Sequence, residues 1–385
     1  MIKDHAEKQE EAALYQFITN QIELESQVAL WLNEPFLAID TEFMRTNTYY
    51  AKPGLIQIAD SNNVFIIDPL VVTNLKPISI LLENHNIVKV MHSMSEDVEL
   101  LFHATGAQIN QVFDTQIASA FLGYGPSLGY QKLVSLVLGF EVDKSETRSD
   151  WLKRPLTDSQ IEYAAKDAEY LVLLYQKLKS ELDEHNLLDA VFNETAVTIF
   201  QTFEGWSSPE AAYLKLRAGW DLSLSAQQLL RALVNWRDSL AKVNNVPKSW
   251  VFNDAQLIEV ASNPPKTSSA LRQIKGIQFK SLRLYGEELL SEVVDFKENL
   301  SQDFVCIDAP VKGKELVLYK KLKQRVTEVE EETGISAQLL GSRKMLERAV
   351  IHLYRNKEND LPLEFQGWRK SLLGDSMLAT CSANE

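Results

Sequence analysis

The chain has 385 residues, 45% hydrophobic and 24% charged, with a net charge of −14. This length holds two or three domains with an ample core; no apolar run approaches the roughly 18 residues of a membrane span, and Met1 to Glu11 lacks the apolar centre of a secretory signal. The acidic balance excludes coating nucleic acid by bulk electrostatics, which needs a basic surface, and two distant cysteines, Cys306 and Cys381, fit a reducing, cytoplasmic setting.

Residues 1–14 read as a flexible tail. From Tyr15 the pattern predicts a short strand, then a helix through Ile22, Val28, Leu30 and Leu32, then the apolar strand Phe36-Leu37-Ala38-Ile39 running into Asp40 and Glu42. Side chains alternate along a strand, so the two carboxylates share a face. Two like charges at the end of a core strand need a cation between them. No Lys or Arg follows in this stretch until Arg45, and a hard divalent ion is the simplest candidate. The alternative is that Asp40 caps the strand and Glu42 faces solvent.

Gly54 to Ala59 and Val64 to Ile67 flank Asp60-Ser61-Asn62-Asn63 and predict a hairpin. A helix near 74–83 and a strand over Ile87 to Met91 follow. Ser93-x-x-Glu96 then reads as a capping box opening a helix with Asp97 in its first turn. Two helices between Thr115 and Gly139 are broken at Gly123 to Ser127, and Glu141 to Pro155 is a polar loop. Thr157-x-x-Gln160 is a second capping box, starting a long helix on which Tyr163 and Asp167 share a face and Ala164, Ala165 and Ala168 permit close approach. Taken alone, that pair also suits an ordinary helix surface with a tyrosine at the core margin.

Beyond Glu184 the chain is helical and loop-broken. Gln227 to Arg237 and Tyr319 to Val326 are similar amphipathic helices, each followed by a short helix, which suggests a duplicated small domain with a connector near Phe296 to Val311.

The three motifs Ile39-Asp40-Thr41-Glu42-Phe43, Met91-His92-Ser93-Met94-Ser95-Glu96-Asp97 and Tyr163-Ala164-Ala165-Lys166-Asp167 resemble the DEDD exonucleases of the Tyr-x-x-x-Asp subclass. With the helical repeats behind them, they make the chain similar to the ribonuclease D family from about residue 15 to 373. The resemblance implies an α/β exonuclease domain, a ribonuclease H-like mixed sheet with flanking helices, followed by two all-α helical domains. It divides the chain into tail 1–14, exonuclease domain 15–210, helical domains 211–295 and 296–373 like the helicase-and-ribonuclease-D C-terminal domain, and flexible tail 374–385.

What the family further implies is a 3′–5′ exoribonuclease that releases nucleoside 5′-monophosphates using two divalent ions, Mg²⁺ or Mn²⁺. Asp40 would bridge both ions, Glu42 and Asp167 would hold the one that activates water, Asp97 would help hold the other, and Tyr163 would orient the water. Partners implied are RNA with a free 3′ end, transfer-RNA precursors above all, with no membrane and no obligate protein partner. Phe43 and Leu55 are candidate apolar walls for the terminal nucleotide, and Gln57 and His92 polar neighbours. Arg45, Lys52, Arg148, Lys153 and Arg154 are candidate phosphate contacts. The first helical repeat concentrates base at Arg231, Arg237, Lys242, Lys248, Lys266, Arg272, Lys275, Lys280 and Arg283, a candidate surface for structured RNA. A DNA 3′ exonuclease and a non-catalytic RNA-binding scaffold remain alternatives.

Overall fold

A computed structural model describes residues 15–207, 209–296 and 304–382; the expected tail at 1–14 and part of the expected connector lie outside the described residues. Residues 15–44 and 53–196 make one compact unit, and 45–52 with 197–382 make a second.

In the first unit, strands β1 (Gln16–Ile18), β2 (Phe36–Met44), β3 (Lys52–Ala59), β4 (Val64–Ile67), β5 (Val88–Met91) and β6 (Val112–Asp114) form one sheet in the order β1-β4-β3-β2-β5-β6. The predicted hairpin is present: β3 and β4 pair antiparallel with Ile56 opposite Ile67, and the Asp60 carboxylate closes the turn by accepting from the Asn62 and Asn63 amides. The pairs β1–β4, β2–β5 and β5–β6 are parallel, so the sheet is mixed as expected. Phe36 to Ile39 of β2 are all buried, as an interior strand covered on both faces requires.

Helix α1 (Gln21–Trp31) buries Leu24, Val28 and Trp31, spaced i, i+4, i+7, while Ile22 and Leu30 of the expected stripe face outward. After α2 (Lys76–Leu82) comes α3 (Ser95–Thr105), which carries Asp97 in its first turn. Its expected capping box is absent. Ser93 takes a left-handed φ of 53°, and the Asp114 carboxylate accepts instead from the Ser93 and Met94 amides at 3.1 and 3.0 Å. Asp114 also caps α4 (Thr115–Phe121) through the Gln116 and Ile117 amides. One acid at the end of a three-residue strand thus fixes the start of two helices.

Helix α5 (Tyr130–Leu138) and a loop lead to α6 (Asp158–Glu184), which opens on the predicted Thr157–Gln160 capping box. Ala164, Ala165 and Ala168 are buried, and their small side chains let α6 pack directly on β2.

Past α7 (Leu188–Ser207) no strand occurs among the described residues. Helix α8 (Leu224–Val243) supplies Leu229, Leu230, Leu233 and Val234 to the core of the first helical domain, joined by Phe252, Leu257 and Leu271. The tail expected to fray from Gly374 is instead helical over Asp375–Ser382, with Met377 and Cys381 buried. None of the described helices is long and apolar enough to cross a membrane.

Gly54 marks the tightest backbone approach near Glu42. A Cβ there would lie 2.7 Å from both Cβ and the carbonyl oxygen of Trp151 and 3.1 Å from the Glu42 carbonyl oxygen. Gly54→Ala should therefore lower unfolding free energy by about 2 kcal/mol, within the usual cost of overpacking. Urea titration reads this as a lower midpoint at constant m; a midpoint equal to wild type would show that this crossing yields freely.

Candidate active site

Asp40 and Glu42 lie at the end of β2, and the close packing of α6 on that strand brings Asp167 to them. One ligand oxygen from each of Asp40, Glu42 and Asp167 lies within 4.8 Å of the others. Asp97 reaches the same place from α3, where its carboxylate accepts a hydrogen bond from the Thr41 hydroxyl on β2. All four acids and Tyr163 border one cavity of about 760 Å³ in the first unit. The three sequence motifs therefore converge.

The cluster is electrostatically strained without a cation. Burial, then the Asp167 charge, pushes the Asp40 carboxyl up. Burial, then Asp40, Asp167 and Asp97, does the same to Glu42. Asp97 is raised by burial and then by Asp40, and Asp167 by burial, opposed by a hydrogen bond from Tyr163. No Lys or Arg pairs with any of the four among the described residues. Asp167 Oδ1 is buried and has no hydrogen-bond partner, an arrangement that normally costs free energy. An all-carboxylate donor set with such an open oxygen suits a hard divalent cation and not zinc, which favours nitrogen and sulfur.

Neutral side chains hold these acids in place. The Tyr130 hydroxyl on α5 donates to the Asp167 carbonyl at 2.5 Å. Burial raises the Tyr130 phenol well above its ordinary range, so it keeps that proton. Burial, then Asp167, also raises Tyr163, whose ring centroid lies 6.1 Å from that of Trp151. Tyr163 is thus a hydrogen-bond donor here and not a base. The roles of Thr41 and Tyr130 escaped the sequence reading, because a hydroxyl joining two elements leaves no spacing signal.

Of the expected nucleotide contacts, Phe43 and His92 border the cavity. Leu55 and Gln57 do not; both are completely buried within β3, Gln57 with neither amide atom bonded. Arg45 belongs to the second unit, where its Nε donates to the Tyr49 carbonyl at 3.2 Å. His92 Nδ1 lies 2.9 Å from the Thr115 hydroxyl, and burial holds the imidazole below its ordinary pKa.

Arg154 is a positioning residue. It grips both oxygens of Asp68, at 2.6 and 2.7 Å, and the Gly54 carbonyl at 2.8 Å, which ties the loop before α6 to β3. In the second unit Arg237 is buried against Asp254 at 2.6 Å and Asp238, Lys248 also pairs with Asp238, and Lys242 stands over the Tyr49 ring. These parts of the expected basic surface therefore serve the domain's interior. Lys266, Arg272, Lys275 and Arg283 make no ion pair among the described residues.

Residues 15–183 match a family model described as 3′–5′ exonuclease, 226–293 the HRDC domain, and 316–377 the C-terminal HRDC domain of ribonuclease D. The chain is 34% identical to ribonuclease D of Pseudomonas paraeruginosa over 94% of this chain and 96% of that protein. It is 33% identical to ribonuclease D of Escherichia coli over 94% and 97% of the two. The crystal structure of the Escherichia coli enzyme, described as an exoribonuclease involved in structured RNA processing, matches at a TM-score of 0.87 and 32% identity, covering 96% of this chain and 99% of that one. On these grounds the chain belongs to the ribonuclease D family and is a 3′–5′ exoribonuclease.

Proposed function

We propose that the protein is a divalent-metal-dependent enzyme of the cytoplasm that trims 3′ ends of structured RNAs, with transfer-RNA precursors as the substrate class, releasing nucleoside 5′-monophosphates. The convergence of Asp40, Glu42, Asp97 and Asp167 on one cavity carries this reading. Asp40 would share both of two Mg²⁺ or Mn²⁺ ions, Glu42 and Asp167 would hold one, and Asp97 the other. Such ions lower the pKa of water and offset the charge that builds on the phosphate and on the attacking and leaving oxygens.

The chain's own groups supply position. Tyr163 offers its hydroxyl proton to the attacking water's oxygen and orients it; its raised pKa rules out proton abstraction near neutrality. Phe43 and His92 would receive the terminal base and sugar, and a stacking wall of this kind tolerates any base.

In this reading 15–210 is the catalytic domain, and 211–295 and 296–373 are helical RNA-binding domains. The free cations Lys266 and Lys275 border a groove of about 1080 Å³ in the first of them, which supports that role. Lys280 stands 5.1 Å from the centroid of the Trp250 ring and adds an aromatic-cationic surface of the kind that contacts single strands.

The test is 3′ trimming of labelled single-stranded RNA and DNA of one sequence, with and without a chelator. RNA should be shortened one nucleotide at a time, faster than DNA, and chelation should stop it; faster decay of DNA would make the protein a DNA exonuclease instead.

Two variants address the roles. Asp40→Asn should cut turnover at least tenfold yet unfold at higher denaturant than wild type under chelation, because it removes one of four clustered charges. Divalent ions should raise the melting temperature of wild type and not of the variant. Tyr163→Phe should slow kcat by about 10²-fold, in the range for one positioned donor, with KM nearly constant. A change confined to KM would make Tyr163 a binding group.

A further inference from the structure

The catalytic cavity is bordered by six carboxylates, Asp40, Glu42, Glu96, Asp97, Glu141 and Asp167, and by just two ammonium groups, Lys132 and Lys144. Four of the acids are accounted for by the metal site. That leaves Glu96 and Glu141 to repel the phosphates upstream of the scissile bond, which are drawn to whichever wall carries the two cations.

Both lysines stand on one wall. Lys132 lies on α5, and Lys144 lies in the turn after it. The neighbouring Gln131 side chain donates to the Asp143 carbonyl at 3.2 Å, which hangs that turn on α5. The turn is closed internally as well: the Asp143 carboxylate accepts from the Ser145 amide at 3.0 Å and hydroxyl at 2.8 Å, and the Thr147 hydroxyl donates to the Lys144 carbonyl at 3.2 Å. Lys132 and Lys144 are exposed and make no ion pair among the described residues. Their charge is available to a ligand, unlike that of Arg154.

The same wall ends in an aromatic shelf. Phe140 stacks on Tyr170, with centroids 5.3 Å apart and planes 17° from parallel. Tyr170 follows Asp167 by one helical turn on the face of α6 that carries Tyr163 and Asp167. Phe140 is 45% exposed and Leu136 is 54% exposed, so the outer face of the stack is open.

We infer that α5 and the turn after it form the track by which the RNA strand leaves the catalytic cavity, with Lys132 and Lys144 binding upstream phosphates and the Phe140–Tyr170 shelf stacking an unpaired base. This rests on the exoribonuclease reading and adds the path of the strand, replacing the candidate contacts Arg45 and Arg154.

The test uses the full chain with Mn²⁺ and two substrates. One is a single-stranded RNA of about ten nucleotides; the other is the 4-nitrophenyl ester of a nucleoside 5′-monophosphate, which has the scissile bond and no upstream phosphate. The double variant Lys132→Gln, Lys144→Gln should raise KM for the RNA at least tenfold. It should also lower the RNA-to-ester ratio of kcat/KM at least tenfold. Its log–log salt dependence should flatten by about 1.4, the value for two phosphate contacts on a single strand. Phe140→Ala should raise the RNA KM by about tenfold, within the range for one lost base stack, with the salt slope of wild type; Phe140→Leu separates stacking from local packing by showing the same loss. An RNA KM within twofold of wild type in the double variant, with an unchanged salt slope, overturns the track alone. Absence of wild-type turnover on both substrates overturns the catalytic reading and the track with it.

Discussion

Mutual repulsion among Asp40, Glu42, Asp97 and Asp167 is the constraint around which the first unit is built. Two unit charges about 4 Å apart near a protein surface repel by roughly 4 kcal/mol, a large share of a typical folding free energy of about 5–15 kcal/mol. Side chains under that load rotate away unless their backbones are fixed. Interior placement of β2 in the sheet fixes two of them. The alanine face of α6 fixes the third by letting the helix sit close to the strand, and the Tyr130 bond to the Asp167 carbonyl holds its turn.

The remaining acid, Asp97, depends on a carboxylate of opposite character. Asp114 accepts four backbone amides, from Ser93, Met94, Gln116 and Ile117. Its charge is fully used in setting the starts of α3 and α4. Asp68 is likewise consumed by Arg154. The chain thus contains acids whose partners are supplied by the fold and acids whose partners are withheld, and only the second group can bind a cation. Chemical identity at these positions is the same. What differs is whether an amide or guanidinium faces the side chain.

This contrast explains which parts of the structure were legible in the sequence. The β3–β4 hairpin and the Thr157 capping box rest on contacts within a few residues, so turn residues and cap spacing reveal them, and β2 shows as the unbroken apolar run of a strand buried on both faces. Asp97 was found through its motif, but its helix cap was misread, because the true cap comes from a strand of three residues, too short to show a period. Leu55 and Gln57 were assigned to the site as neighbours of the acids on a strand end, which a sequence cannot distinguish from a position in the core. Gly54 to Ala59 are in fact buried on both faces, and alternation then sorts nothing. Arg154 read as a phosphate contact because its partner, Asp68, lies 86 residues away. The α1 stripe was misplaced for a related reason, since exposed Ile22 and buried Leu24 are equally apolar in sequence.

The overall charge has a physical consequence for how an exonuclease of this kind selects its substrate. A chain with a net charge of −14 repels the flank of a polyanion at distances beyond contact. Arg237 and Lys248, which would soften that repulsion, are instead matched internally by Asp238 and Asp254. Sideways, sequence-independent capture along the length of an RNA is therefore left to cations such as Lys266, Arg272, Lys275 and Arg283, which make no ion pair among the described residues. A free end presents fewer phosphates per approach and can enter a cavity whose acids are neutralised by divalent ions. An acidic exterior around a metal-bearing cavity consequently favours termini over internal segments before any contact with a base is made, and that bias suits a reaction that removes one residue at a time from an end.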